Sequence, residues 1–190
     1  MSSTNKPFGA RPVYHPSGII RPRVVKDGIL SGYTSDIKKG QSVKMDTSGQ
    51  IVVAAAGDPF LGFFHGVEWV DSTGRMRVSN YWPANTTYLA GSCRVSYYDD
   101  PLIVYEIQAD GSLAQTSIDD QADLSNVTDG SSVTGLSQAT LSTTLAAAGN
   151  VKQMRIIGLA PSIANDWGDA YTVVHAMINE SQHQATVVAV

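Results

Sequence analysis

Across residues 40–70 the hydrophobic and polar positions read as three short strands joined by tight glycine turns. Val43 and Met45 alternate with polar neighbours, Thr47-Ser48-Gly49 turns the chain, and Ile51-Val52-Val53 starts it back. Residues 54–59 form a loop, with Gly57 and Pro59 as breakers. Residues 61–70 then read as a long, bulky strand interrupted by Gly62 and Gly66. Glycine inside such a run marks a bulge, a sharp bend or a closely approaching backbone, and small curved or barrel-like sheets are built that way.

The same pattern extends in both directions. Residues 24–33 predict a strand and turn, and residues 76–79 a strand after the Asp71-Ser72-Thr73-Gly74 turn. Tyr81-Trp82-Pro83 ends that strand, and residues 86–98 predict another, kinked at Gly91. Asp99-Asp100-Pro101 is the expected boundary to a second unit, which opens with the β-branched run 102–107 and the turn Ala109-Asp110-Gly111. Residues 117–125 have helix-like spacing of Ile118, Ala122 and Leu124, with Ser117 as N-cap and acids in the first turn, so one short helix is expected there. Residues 126–150 suggest a strand pair and a loop, 154–159 a buried strand, 161–169 a loop holding Trp167, 171–179 a last strand, and 180–190 a polar tail.

Residues 1–26 differ from the rest. They carry Pro7, Pro12, Pro16 and Pro22, five Lys and Arg, and no acid. Each proline fixes φ, lacks a donor and pushes its predecessor toward extension. An extended arm is expected, able to lie along a neighbour. Phe8, Tyr14, Ile19 and Ile20 would be its apolar anchors, and Arg11, Arg21, Arg23 and Lys26 its cations. The fold class expected is all-β: one or two small barrel- or sandwich-like units (27–98 and 99–190), a short helix near 117–125, and the arm at 1–26.

Composition changes this picture little, whereas charge distribution adds to it. Of 190 residues 43% are hydrophobic and 16% charged, the latter below the roughly 25% usual for globular chains. The single Cys93 permits no internal disulfide. Residues 1–22 hold no apolar run suited to a secretory signal, and no stretch approaches the ~18 apolar residues of a membrane-spanning helix, so a soluble protein is expected. Residues 1–95 hold 11 Lys and Arg against 6 acids, whereas 96–190 hold 2 against 11. Such polarity suits subunits that dock basic end to acidic surface, although two independently solvated faces would look the same.

Candidate chemistry is sparse. His15, His65, His175 and His183 show no metal-ligand spacing. Cys93 has no neighbouring base in sequence. Asp119, Asp120, Asp123 and Asp129 lack the order of a calcium loop and suit a solvated helix start. Asp166 and Asp169 flank Trp167 and Gly168 and could be proposed as a hydrolase pair. No phosphate loop, dinucleotide fingerprint or nucleophile elbow occurs. The basic arm would suit nucleic acid, but the acidic second half opposes it.

Several phrases read together resemble a known family. They are Phe8-Gly9-Ala10-Arg11-Pro12-Val13, Gly40-Gln41-Ser42-Val43-Lys44-Met45 with Gly49-Gln50-Ile51, and Leu61-Gly62-Phe63-Phe64-His65-Gly66-Val67-Glu68-Trp69. Ser79-Asn80-Tyr81-Trp82, Gly135-Leu136-Ser137, Arg155-Ile156-Ile157-Gly158-Leu159 and Ile178-Asn179-Glu180-Ser181-Gln182-His183-Gln184 continue the series. In this order they resemble the head decoration, or cement, proteins of tailed bacteriophages. The resemblance implies β-barrel-like domains, oligomers on the capsid exterior and no enzymatic activity. The partners expected are the major capsid protein and the protein itself as homodimer or homotrimer. Cofactor, metal, nucleic acid, membrane and small-molecule substrate are not expected. The competing expectation is a β-rich glycan-binding or adhesin module that uses Trp69, Tyr81, Trp82 and Trp167 as stacking surfaces.

Overall fold

The computed structural model describes residues 4–184. In chain order the first strands are β1 (Arg11–Tyr14), β2 (Arg23–Lys26), β3 (Ser42–Met45), β4 (Ile51–Val53), β5 (Gly62–Val70), β6 (Met76–Ser79) and β7 (Arg94–Tyr98). They are followed by β8 (Val104–Gln108), β9 (Gln121–Ser125), β10 (Gly130–Ser131), β11 (Leu136–Ser137), β12 (Thr140–Leu145), β13 (Met154–Leu159) and β14 (Val173–Ile178). The protein is nearly all-β: a single 3₁₀ turn, Gln115–Ser117, is the one helical segment among the described residues.

Two six-stranded antiparallel sheets result, in orders β2-β7-β5-β3-β4 with β6 also on β5, and β1-β8-β14-β13-β9-β12; β10 and β11 form a separate hairpin. The long β5 organises the first sheet. One edge pairs with β7, and the other is shared between β3 near Gly62 and β6 from Val67 onward. Its register shifts between Phe64 and Gly66, the bulge that the glycine marked. In the second sheet β8, β14 and β13 pair in continuous register, apart from a shift between Ile156 and Gly158. A lone bridge, Ala109↔Leu141, brings the end of β8 back toward β12.

Each sheet has its own core. Trp82, Phe64, Leu61, Ile37, Val95 and Tyr97 fill the first. Tyr105, Ile107, Met154, Ile156 and Val174 fill the second, where Phe60 and Phe63 join them from the first sheet's side. Alternation along β5 explains this split: Phe64 points to one core and Phe63 to the other.

The proline-rich segment is extended, as read from its prolines, but it lies along its own chain. β1 pairs with β8 of the second sheet and β2 with β7 of the first. Where the arm crosses the body, the Ala10 N–H donates to the Gly40 carbonyl at 3.0 Å. Gly9 (φ +69°) and Gly40 (φ +78°) permit the approach. A Cβ on Gly9 would lie 2.9 Å from the Gly40 carbonyl oxygen, and one on Gly40 would lie 2.9 Å from that of Ala10.

Two expectations are corrected. Residues 117–125 hold no helix; the 3₁₀ turn ends at Ser117 and β9 begins at Gln121. Asp119 sits at φ 70°, outside helical space, and its N–H donates to the Ile156 carbonyl while the Ile156 N–H donates to Asp120. Pairing with β13 overrode a weak local preference. Likewise residues 86–93 are loop, with Asn85 and Gly91 at positive φ, and only β7 is strand. Of the polar tail, residues 185–190 lie outside the described residues, as do residues 1–3 of the arm.

Candidate interaction surface

The eight arm residues singled out from sequence are all placed. Phe8 is half-buried beneath the Arg11 guanidinium, 4.6 Å from the ring centroid. Arg11 also lies 3.5 Å from Glu106 on β8. Tyr14 and Ile19 are exposed, whereas Ile20 packs on the second core. Arg21 is exposed beside a 310 Å³ depression that His15, Ile19 and Asp100 also line. Arg23 donates to Asp99 at 3.0 Å, and Lys26 is exposed at the end of β2.

Much of the charge polarity read along the chain is satisfied within the molecule. Arg11, His15 and Arg23 meet Glu106, Asp100 and Asp99, so the basic arm is clipped to the acids that open the second half. Exposed pairs of this kind contribute about 0–1 kcal/mol each; the strand pairing holds the arm, and the ion pairs set its register. Arg21 and Lys26 keep outward-facing charge.

Sequence reasoning missed a trough on the solvent face of the first sheet. It encloses about 410 Å³ between Val24 of β2 and Val78 of β6, over Gly66, Glu68, Arg94 and Ser96. Small side chains on adjacent strands make the floor, a signal visible only once the strand pairing is known. Lys39 ends this trough and begins a second depression of about 300 Å³ against Phe8, Pro12 and Leu136. Phe8 and Arg11 continue into a third of about 260 Å³, walled by Ser162 and Asn165. His65 lines the trough, its Nδ1 3.1 Å from the Tyr98 hydroxyl. Burial, reinforced by the Lys39 charge, holds its pKa below the usual imidazole value.

The remaining candidates are dispersed. Cys93 is buried, and burial with the nearby Asp27 charge pushes its thiol pKa up to about 12, which leaves it a core side chain with little thiolate. Asp169 accepts from the Asp166 N–H at 2.9 Å, so that carboxylate caps its own turn. Asp123 pairs with Lys152 at 2.6 Å. Among the described residues no group of three or more His, Cys, Asp or Glu could hold a metal ion. Trp82 is fully buried and edge-on to Trp69 at 5.6 Å, and Trp167 packs on the second core. The structure therefore gathers no Trp69-Tyr81-Trp82-Trp167 stacking platform. What it presents is a rigid β surface with a clamped, partly exposed arm and a lined run of depressions. No known protein family, curated protein or solved structure matches this chain.

Proposed function

We propose that this protein is a structural virion component that binds the outside of a tailed-phage head, where it stabilises the expanded shell by bridging major capsid protein subunits. It is assembled in the host cytoplasm, works by adhesion without bond chemistry, and associates with itself on the shell. The reading rests on the family resemblance of its phrases and on one structural observation. The arm is anchored at both ends, β1 on β8 and β2 on β7, while Tyr14 at the end of β1 and Ile19 and Arg21 in the span between the anchors are exposed. A fixed backbone presenting aromatic, aliphatic and cationic side chains loses little conformational entropy on docking, which favours affinity. Aromatics and Arg are also the residue types that carry interface energy. Small contacts suffice because many copies act together on one shell. In this reading the second sheet behaves as a partly closed barrel, with the Ala109↔Leu141 bridge stiffening its open side.

Removing residues 1–22 would strip β1 from β8 and so would test folding before adhesion. The better variant combines Tyr14→Ser, Ile19→Ser and Arg21→Ser, all at exposed positions. Expanded empty heads are mixed with each protein and sedimented. The wild type is expected in the pellet and the triple variant in the supernatant, both with the same thermal midpoint. A wild-type protein that stays in the supernatant, or a triple variant that pellets equally, would overturn the proposal. Retention on a glycan array without shell binding would reassign the protein to a carbohydrate-binding class.

A further inference from the structure

Two surface features lack a partner within the chain and match each other chemically. The first is Ile163, whose side chain is fully exposed (106%) in the loop joining β13 to β14, with Asp166 three residues on and also exposed. The second is the trough of the first sheet. Its walls, Val24 and Val78, are 56% and 76% exposed, and Gly66 keeps its floor low: a Cβ there would meet the Ser79 carbonyl oxygen at 3.1 Å. The loop offers an aliphatic tip beside carboxylates. The trough offers aliphatic walls beside Arg94 and Lys39. Arg94 already lies 3.8 Å from Glu68, whereas the Lys39 ammonium has no carboxylate partner among the described residues. An unpaired cation next to apolar walls selects a partner group of opposite charge and the same apolar character.

We propose that the trough seats Ile163 of a second copy of this chain, with that copy's Asp166 set against Lys39. Knob and socket lie along one continuous run of surface, because Lys39 joins the trough to the middle depression and Phe8 and Arg11 join that to the depression walled by Ser162. Two copies laid face to face in opposite directions place each knob in the other's socket. That contact is isologous and closes at a dimer. The inference rests on the self-association in the proposed function and names the surfaces that achieve it.

The test is sedimentation equilibrium of the full chain. The wild type is expected to be a dimer. Ile163→Asp and Val78→Asp are each expected to weaken association by at least about tenfold, the effect of losing one buried aliphatic anchor. Both positions are exposed, so unchanged circular dichroism is expected to show that the variants fold. The milder Ile163→Ser serves if either does not. Lys39→Gln is expected to weaken association and flatten its salt dependence. As a direct readout, Ile163→Cys chains are mixed with Val78→Cys chains and oxidised. A disulfide between the two kinds of chain is expected, and each kind alone should stay uncrosslinked.

A wild type that remains monomeric at the highest concentration it tolerates would overturn the inference, as would a trimer or association indifferent to both aspartate variants. Loss of shell binding in Ile163→Asp and Val78→Asp with self-association intact would assign the loop tip and the trough to the shell protein instead, and would overturn it too. A monomer that still pellets with expanded heads sinks this inference alone. A dimer that ignores heads sinks the proposed function and leaves the trough contact standing.

Discussion

His65 shows how one side chain reports the surface around it. The ring is half-buried against Tyr98 at 5.0 Å between centroids, and the Tyr98 hydroxyl meets its Nδ1. Burial and the Lys39 charge both disfavour the imidazolium, so the folded-state pKa lies below the unfolded value. His175 on β14 shifts the same way through burial, with Glu106 opposing. The sign follows directly. Below about pH 6.5 the unfolded chain takes up protons that the folded chain resists, so stability is complete above that pH and falls as pH drops toward the lower folded pKa. Denaturant midpoints measured from pH 8 to pH 5 are expected to decline across this window, and His65→Gln to decline less steeply. A parallel pair of curves would show that His65 contributes nothing.

At the scale of elements, the close approach of β5 to the end of its antiparallel neighbour β7 sets the tightest constraint. Gly62 lies against the Tyr98 backbone, and a Cβ there would be driven into the Tyr98 carbonyl. Backbone cannot swing aside as a flexible side chain can, so Gly62→Ala is expected to lower unfolding free energy by about 3 kcal/mol or more, read by urea titration. The sequence announced this strand well. Residues 61–70 read as one long bulky strand with Gly62 and Gly66 marking its irregularities, but the shared face of Phe64, Val67 and Trp69 is offset by the bulge between Phe64 and Gly66. β3 and β4 were equally legible, since a turn at Thr47-Ser48-Gly49 links neighbours. β9 was not legible. Ile118, Ala122 and Leu124 fit a helical stripe, yet Ala122 and Leu124 also sit two apart, the spacing that a strand buries on one face. Only pairing with β13, some thirty residues on, decided between them. The arm divides the same way. Its prolines fixed extension locally, but its partners on β8 and β7 lie far along the chain, the nearest being Arg94 opposite Lys26, and left no local trace. The trough was hidden for that reason too, because Val24, Gly66, Val78 and Ser96 become neighbours only through the sheet.

Over the whole molecule, the two sheets are joined more firmly than the Asp99-Asp100-Pro101 boundary suggests. Phe60 and Phe63 leave the first sheet's loop and strand to pack in the second core, with Phe63 4.6 Å from the Tyr105 ring. The Ser181 segment bridges back to Phe60, and Gln182 exchanges two hydrogen bonds with the Met45 backbone. Gln153 is the fully buried polar tie. Its amide nitrogen donates to the Ala55 and Asp58 carbonyls at 3.0 and 2.8 Å, and its amide oxygen accepts from the Leu124 N–H at 2.9 Å. Units sharing aromatic core residues and a buried hydrogen-bond node cannot open separately without exposing both, so unfolding is expected to be one cooperative step. Gln153→Leu keeps the volume but strands the Leu124 N–H and the Asp58 carbonyl, whereas the Ala55 carbonyl still accepts from the Asp58 N–H; the cost is about 1–3 kcal/mol for each buried group left unpaired. Hydrogen exchange on the wild type is expected to give matching opening free energies for β7 and β14, one from each sheet. In Gln153→Leu both should fall together, by several kcal/mol on that accounting. A variant in which β14 weakens while β7 holds its protection would mean that the sheets are independent domains, and that the arm spans them as a tether.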